Sequence, residues 1–282
     1  MFFIEKNDKP NFFERKFNIL KIKNDTIYIP FGTGMSERQI EKIAIKTEKI
    51  IRKNTSSKKV ILSNEIKKEE KYMNYLYMHN FDIQNGKFLF ELLLPEITEY
   101  IIKKNNFNKN KCMISILIND LTEIEYENIK LLARQYKTIN IVTNHIEKFK
   151  KLEEKLYIDE GIVITITNNK KKSLLKSDII LNIDFPKELI NKYNINTDAA
   201  IVNVKEKVKI NKKRFNGISV NDYEINYRDD KKSFEEELNK RYCLKDIYES
   251  QLYKKQRIND IRKKIKNDKV IIEKLILNNG VY

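Results

Sequence analysis

The spacing of apolar positions divides the first hundred residues into short strands and amphipathic helices. Residues 17–31 contain two apolar runs around Asn24-Asp25, which is typical of a β-hairpin. Ser36, followed three residues later by Gln39, predicts a capped helix start. The elements that follow are predicted as strand, helix, strand and helix, over 59–63, 67–80, 81–83 and 88–104. This pattern predicts a small α/β domain over 1–105.

Beyond a polar run at 103–111, strands and helices alternate regularly. Apolar runs predict five strands, at 112–118, 139–143, 162–167, 179–183 and 199–204, with helices between them. These strands are continuously apolar, as expected of a parallel sheet covered on both faces. Parallel strands also need helical crossovers of this length. We therefore predict a doubly wound parallel sheet in a second domain over 106–228.

The last part of the chain, 229–282, is predicted to be mainly helical. Two apolar helix faces are present, made by Phe234, Leu238 and Tyr242 and by Ile258, Ile261 and Ile265. A short apolar segment, VIIEKLIL, lies near the C-terminus. We expect these C-terminal helices to pack back against the first domain.

The segment LLKSDIILNIDFPKELINKYNINTDAAIVNV, residues 174–204, resembles a stretch of amino-acid-dehydrogenase-like proteins such as shikimate dehydrogenase and methylenetetrahydrofolate dehydrogenase. In those families a strand ends in a loop with proline near the nicotinamide, and another apolar strand follows. RFNGISV, residues 214–220, is similar to the strand after that. The resemblance implies a small α/β substrate domain, a Rossmann-like domain and C-terminal helices returning to the first domain.

The first strand–helix turn of the second domain departs from that family. A dinucleotide site needs Gly-x-Gly-x-x-Gly there, so that the backbone can approach the pyrophosphate. Residues 118–125, INDLTEIE, contain no glycine, and Thr122 with Glu125 predicts a capping box. The second strand ends in Thr-Asn-His at 143–145, without the acidic residue that binds a ribose hydroxyl. We therefore predict no NAD(P) site and no other cofactor.

The net charge of +16 suggests a nucleic-acid partner, because a basic surface attracts phosphate. However, only nine of the 56 Lys and Arg residues are Arg, which makes the bidentate contacts to phosphate and bases. Abundant Lys, Asn and Ile are also what an A+T-rich genome imposes. No apolar stretch has bilayer-spanning length, no secretory pattern is present, and two cysteines fit a reducing compartment. We expect a cytoplasmic protein without a membrane partner.

Polar residues after the predicted strands are the candidate ligand residues, because a sheet of this kind binds ligands at its carboxyl edge. They are Ser63 and Asn64 in the first domain and Asn119, Asp120, Asn144, Asn168 and Asp184 in the second. Asn and Asp are also common loop and cap residues, so a structural role is the alternative interpretation. We assign no residue a catalytic role. His79 and His145 lack the spacing of a metal site, and we predict no metal.

Three hypotheses about function follow. The favoured one is a Rossmann-like interaction or regulatory module without dehydrogenase activity, acting on a protein or a small ligand. The second is a small-molecule enzyme that uses a cleft between the domains near Ser63, Asp120 and Asp184. The third is a nucleic-acid-binding protein, for which the basic segment Lys254–Lys266 is the candidate. A surface helix with a buried apolar stripe is the alternative interpretation of that segment.

Overall fold

In the computed structural model, residues 1–32, 34–211, 213–227, 240–278 and 280–282 are described. Their contacts divide the chain into two compact units. The first unit is Met1–Gly86 with Asp229–Tyr253, and the second is Lys87–Arg228 with Lys254–Tyr282. Each unit is therefore assembled from two separate stretches of chain. The helical face predicted for Phe234 and Leu238 lies outside the described residues.

The first unit is built on a five-stranded sheet in the order β2-β3-β1-β4-β5. Its strands are β1 (Phe2–Lys6), β2 (Lys21–Lys23), β3 (Thr26–Ile29), β4 (Lys59–Leu62) and β5 (Asp82–Gln84). Neighbours pair in parallel except β2 and β3, which form the predicted hairpin. The turn residues Asn24 and Asp25 have φ of 46° and 60°, a region that Asn and Asp tolerate better than most residues.

Among the described residues, five helical elements accompany this sheet. They are α1 (Phe12–Phe17), α2 (Glu37–Asn54), a 3₁₀ turn (Ile66–Lys68), α3 (Glu70–Met78) and α10 (Leu244–Ser250). The predicted capping box of Ser36 and Gln39 starts α2. The inner face of α2, with Ile43, Ala44 and Ile51, is buried against sheet residues such as Ile4 and Val60. The first unit thus has a hydrophobic core of its own.

The second unit contains an eight-stranded sheet in the order β13-β12-β11-β10-β9-β6-β7-β8. Its strands are β6 (Met113–Leu117), β7 (Thr138–Val142), β8 (Thr165–Thr167), β9 (Ile179–Asn182), β10 (Ala200–Asn203), β11 (Ile218–Asn226), β12 (Ile271–Leu277) and β13 (Gly280–Val281). The strands β6 to β11 are parallel. Numbered from β6, they lie in the order 3-2-1-4-5-6, which is the Rossmann arrangement. The predicted α/β, doubly wound fold is confirmed.

The strands β9 and β10 are buried along their whole length, as expected of a parallel sheet covered on both faces, and the described helices of this unit accompany the sheet. They are α4 (Lys87–Leu92), α5 (Leu94–Lys104), α6 (Glu123–Gln135), α7 (Ile146–Glu160), α8 (Lys170–Lys176), α9 (Lys187–Lys192) and α11 (Ile258–Asn267). Within the described ranges, every helix is too short or too polar to span a bilayer.

The single helix predicted over 88–104 is divided into α4 and α5 at Leu93. The reason is Pro95, which has no N–H to donate to the carbonyl of Glu91 and whose ring crowds the preceding turn. The Asn128 side-chain amide donates to that carbonyl instead, at 2.8 Å. Arg262 in turn donates to the Asn128 side-chain oxygen, so one polar network joins α4, α6 and α11.

Two C-terminal segments differ in character from one another. In α11, Ile258, Ile261 and Ile265 are buried and the lysines point outward, which is the surface-helix interpretation of the basic segment. The apolar end VIIEKLIL instead forms β12, which pairs antiparallel with β11. This pairing extends the parallel sheet with an antiparallel edge, which local sequence pattern alone does not specify.

Candidate functional site

Five of the seven candidate residues lie at the carboxyl edge of the second-unit sheet. Asn119 and Asp120 follow β6, Asn144 follows β7, Asn168 follows β8 and Asp184 follows β9. Because β6 and β9 are neighbours whose connections leave in opposite directions, the space between them is the topological switch point of the sheet. Ligands of open α/β sheets bind at such points, so the contacts made here decide what the fold can hold.

Asp184 closes the turn that follows β6. Its carboxylate accepts the backbone N–H of Asn119 at 2.9 Å to each oxygen, and the N–H of Asp120 at 2.9 Å. In a dinucleotide-binding fold, N–H groups of this turn point toward the pyrophosphate. Here an acidic side chain of the same chain takes that position. Asp184 thus acts as an internal anion at the switch point.

The N-terminus of α6 is closed in the predicted way. Thr122 and Glu125 form a capping box, in which the Glu125 carboxylate accepts the Thr122 backbone N–H at 3.0 Å and also the Thr122 hydroxyl. Glu125 is buried although it is acidic. A negative charge is favourable at a helix N-terminus for the same reason that a phosphate is. The helix start is therefore satisfied from within the chain.

A second link joins the turns after β6 and β7. The Asn119 side-chain oxygen accepts the backbone N–H of Asn144 at 3.0 Å. Lys148, in the first turn of α7, donates to the Asp120 carboxylate at 2.8 Å. That hydrogen bond and the lysine charge lower the pKa of the Asp120 carboxyl below its ordinary value. Asp184, Asn119 and Asn144 thus form one hydrogen-bonded chain across three strand ends.

On the other side of the switch point, a ladder of buried amides crosses the sheet where β9 and β10 end and β11 continues. The Asn182 amide donates to the Asn203 side-chain oxygen, and the Asn203 amide lies within hydrogen-bond distance of the Asn221 oxygen. Asn221 also accepts the backbone N–H of Val208, which holds the following loop against the strands. Phe185 and Val208 are buried in the core beneath. These residues pack at the ends of β9 and β10 and against the first half of β11.

An open pocket of about 640 Å³ lies beside the closed turn, over the ends of β6, β7 and β8. Its lining residues are Asp120, Asn144, His145, Ile146, Glu147, Lys148 and Asn168. Carboxylates, amides, an imidazole and an ammonium group are combined there, which suits hydrogen bonding to a small polar ligand. His145 lies immediately before the first residue of α7. Three of the seven candidate residues belong to this pocket.

The other two candidates, Ser63 and Asn64, lie in the first unit at the end of β4. The Ser63 hydroxyl accepts the backbone N–H of Ile66, so it caps the 3₁₀ turn. The Asn64 N–H donates to the carbonyl of Arg241 at 2.8 Å, and its side-chain oxygen accepts from the Cys243 thiol at 3.0 Å. Both residues line a small pocket of about 130 Å³. Ser63 thus contacts the 3₁₀ turn that follows it, and Asn64 contacts the segment that precedes α10.

A buried ion pair that the sequence does not reveal lies next to Asn64. Lys67 donates to the carboxylate of Asp246, whose side chain is fully buried. The other oxygen of Asp246 has no hydrogen-bond partner among the described residues. Burial raises the pKa of the Asp246 carboxyl to about 6, although the Lys67 ammonium favours the charged form. The first unit therefore holds a carboxyl group that titrates near neutrality.

Asp246 should make the stability of the protein depend on pH. Because its pKa is raised from 3.8 to about 6 in the folded state, the folded chain binds this proton more tightly than the unfolded chain. We expect wild type to gain stability relative to Asp246→Asn as pH falls from about 6 to about 4. The limit is about 3 kcal/mol. Urea unfolding of both proteins across this range measures the gain, and a pH-independent difference contradicts it.

In the described part of the chain, no three His, Cys, Asp or Glu side chains come together in a group that could hold a metal ion. His79 stacks on Tyr75 with ring centroids 4.1 Å apart, and its Nδ1 lies 3.1 Å from the Glu48 carboxylate. Cys112 is buried, and burial raises the pKa of its thiol to about 12. The contacts of His79 and the burial of Cys112 are those of structural residues.

Comparison with known proteins gives the fold context only. No protein-family model matches the chain, and no curated protein matches it. Among solved structures, a shikimate 5-dehydrogenase-like protein is 13% identical over 93% of this chain and 96% of its own, with a TM-score of 0.30. An ornithine transcarbamoylase from Giardia lamblia is 11% identical over 71% of each chain, with a TM-score of 0.25. At these identities and TM-scores no family is assigned, and the fold assignment rests on the strand order of the second-unit sheet.

Proposed function

We propose that this protein is an interaction or regulatory module built on a Rossmann-like sheet, and that it is not a dehydrogenase. The observation that carries the proposal is the Asp184 carboxylate, which accepts the backbone N–H groups of Asn119 and Asp120. These are donors that a dinucleotide would need at the first turn of the sheet. On this proposal, the protein acts through its surface and through the open pocket beside the closed turn.

Charge and shape both support this proposal. A pyrophosphate at the turn would have to displace Asp184 and lie beside Asp120, and like charges at such distances repel. The turn also has side chains where the family has glycines, so its backbone is less open to close approach. On the other side, the ladder of Asn182, Asn203 and Asn221 buries its amides where β9 and β10 end. A nicotinamide dinucleotide would therefore lack its phosphate contacts at this turn.

Thermal unfolding with added dinucleotide tests the proposal. We expect no change in Tm with NAD, NADP or their reduced forms, because a ligand raises Tm only when it binds the folded state. A Tm increase at micromolar dinucleotide that is lost in Asn119→Glu would contradict the proposal, because the added carboxylate would lie at the phosphate position. Stabilisation that Asn119→Glu leaves unchanged would place the dinucleotide elsewhere on the protein.

A second candidate function is a small-molecule enzyme that works without a dinucleotide. The observation that favours it is the buried pair of Lys67 and Asp246, because carboxyl groups with a pKa near neutrality suit acid–base chemistry. Screening of small carboxylic acids and amines by thermal shift separates the two candidates. The enzyme requires ligands whose stabilisation depends on Asp246 and is lost in Asp246→Asn. The module requires none.

A further inference from the structure

Helix α1 and the strand after it expose an unusual number of large apolar side chains. Phe12, Phe13, Phe17, Ile19 and Ile22 are each between 45% and 70% exposed, and all lie within eleven consecutive residues. We call this set the aromatic ridge. Ring contacts join Phe12 to Phe13 and Phe13 to Phe17. Single exposed apolar residues are ordinary on a protein surface, but such a contiguous group marks a surface that contacts something apolar.

The orientation of α1 shows that the ridge is held outward by the fold. The buried residue of this helix is Glu14, whereas its three phenylalanines face solvent. Glu14 is fixed there by a capping box with Asn11, by the Asn7 amide at 3.0 Å and by Lys21 at 2.7 Å. An amphipathic helix normally buries its apolar side. Polar contacts anchor α1 with the opposite face inward, so the ridge is a built feature of the first unit.

The charge around the ridge is positive. Arg15, Lys16, Lys21 and Lys23 are exposed beside it, and Glu14 is the sole acidic residue between Asn11 and Lys23. Lys21 neutralises Glu14, so the exposed rim presents uncompensated cations. A second copy of the same ridge would bring like charges together. The occupant that complements this surface is anionic and has an apolar layer beneath its charge.

Ring geometry distinguishes a lipid surface from single-stranded nucleic acid. Base stacking needs free aromatic faces. The rings of Phe13 and Phe17 stack on each other with an interplanar angle of 7°, and the Lys16 ammonium lies 5.6 Å and 5.8 Å from the ring centres of Phe12 and Phe17. Ile19 and Ile22 offer no aromatic face at all. Acyl chains accept both aromatic and aliphatic side chains, and lipid headgroups accept the lysines.

We propose that the aromatic ridge docks this protein on an anionic phospholipid surface, with the phenylalanines in the interfacial layer and the basic rim on the headgroups. Such peripheral binding to a membrane surface does not require a helix long enough to cross the bilayer. It differs from the sequence-based expectation of no membrane partner. It is independent of the closed turn at Asp184, so either proposal can fail without the other.

Co-sedimentation with vesicles tests the docking surface. We expect the full chain to bind vesicles of phosphatidylcholine mixed with phosphatidylglycerol and to bind pure phosphatidylcholine much more weakly. The double variant Phe13→Ser, Phe17→Ser should weaken binding by about tenfold or more, because two buried rings are lost. The variant Lys16→Glu, Lys23→Glu should remove the preference for anionic vesicles. Both variants change exposed side chains, and circular dichroism checks that they fold.

A matched control uses another exposed apolar pair. Tyr157 and Ile158, at the end of α7, are also exposed but precede the acidic residues Asp159 and Glu160. Tyr157→Ser, Ile158→Ser should leave vesicle binding unchanged. The proposal is overturned if wild type binds neither vesicle, or if the Phe13 and Phe17 variant binds as well as wild type. If wild type does not bind vesicles but binds polyuridylate or self-associates, and the Phe13 and Phe17 variant loses that activity, the ridge has a different occupant and the proposal is also overturned.

Discussion

Replacing Gly217 with alanine is expected to lower the free energy of unfolding by about 3 kcal/mol or more. A Cβ at this position would lie 2.0 Å from the backbone oxygen of Ala199 and 2.9 Å from the ring of Phe215. The backbone cannot move aside as a flexible side chain can. Gly217 is also held in place by the hydrogen bond that its N–H donates to the Thr197 carbonyl, at 2.8 Å. The start of β11 would therefore separate from β10.

Urea unfolding of wild type and Gly217→Ala measures this cost. Gly32→Ala is the control, because a Cβ at Gly32 meets no atom within 4 Å and no positive φ strains the backbone there. We expect a change of less than about 0.5 kcal/mol for the control. Equal stability of the two variants would show that the approach of Gly217 to Ala199 is wrong.

Removing the Asp184 carboxylate is expected to cost about 2–3 kcal/mol, the second large effect. In Asp184→Ala the backbone N–H groups of Asn119 and Asp120 lose a charged acceptor at the same time. Water replaces part of the interaction because Asp120 is exposed, and this limits the loss. Asp184→Asn, which retains an acceptor oxygen without the charge, should cost about half as much.

The same unfolding experiment measures the Asp184 variants. Glu188→Ala is the matched control, because Glu188 lies four residues along the chain, is exposed and has its nearest cation, Lys187, at 4.0 Å. An exposed contact of this kind contributes little to stability. If Asp184→Ala and Glu188→Ala lost the same stability, the closed turn would not be a stabilising feature of the fold.

Many elements of both units are predictable from sequence because their determinants are local. Continuous apolar runs indicate the parallel strands, and the capping boxes at Ser36 and Thr122 give helix starts that the structure confirms. The Asn24-Asp25 pair likewise gives the hairpin turn. In each case the side chains that specify the element lie within a few residues of it, so the local sequence is sufficient to predict the element.

Features that depend on distant partners are not predictable in this way. The strand β1 is central in its sheet, yet its stability comes from pairing with β3 and β4, and the sequence pattern does not predict it. Asp184 is a candidate ligand residue in the sequence, and its contacts with a turn 65 residues earlier appear only in the fold. Lys67 and Asp246 are 179 residues apart. No spacing rule connects such positions.

The exposed phenylalanines of α1 show a second reason why the sequence does not predict every feature of the structure. A run such as NFFERKF has the composition of a core segment, and amphipathic reasoning places its apolar side inward. The structure places Glu14 inward instead, because the hydrogen bonds of Asn7, Asn11 and Lys21 converge on it. Which side faces the protein depends on this polar anchor. The result is a basic, aromatic surface on the outside of the first unit.

The central claim is that Asp184 occupies the N–H groups that a dinucleotide phosphate would use. Amide hydrogen exchange at Asn119 and Asp120, resolved in ¹H–¹⁵N spectra, tests it most directly. We predict slow exchange in wild type that added NAD or NADP leaves unchanged, and faster exchange at both amides in Asp184→Ala. Exchange at the rate of an open loop in wild type, or protection that arises only when dinucleotide is added, would contradict the account.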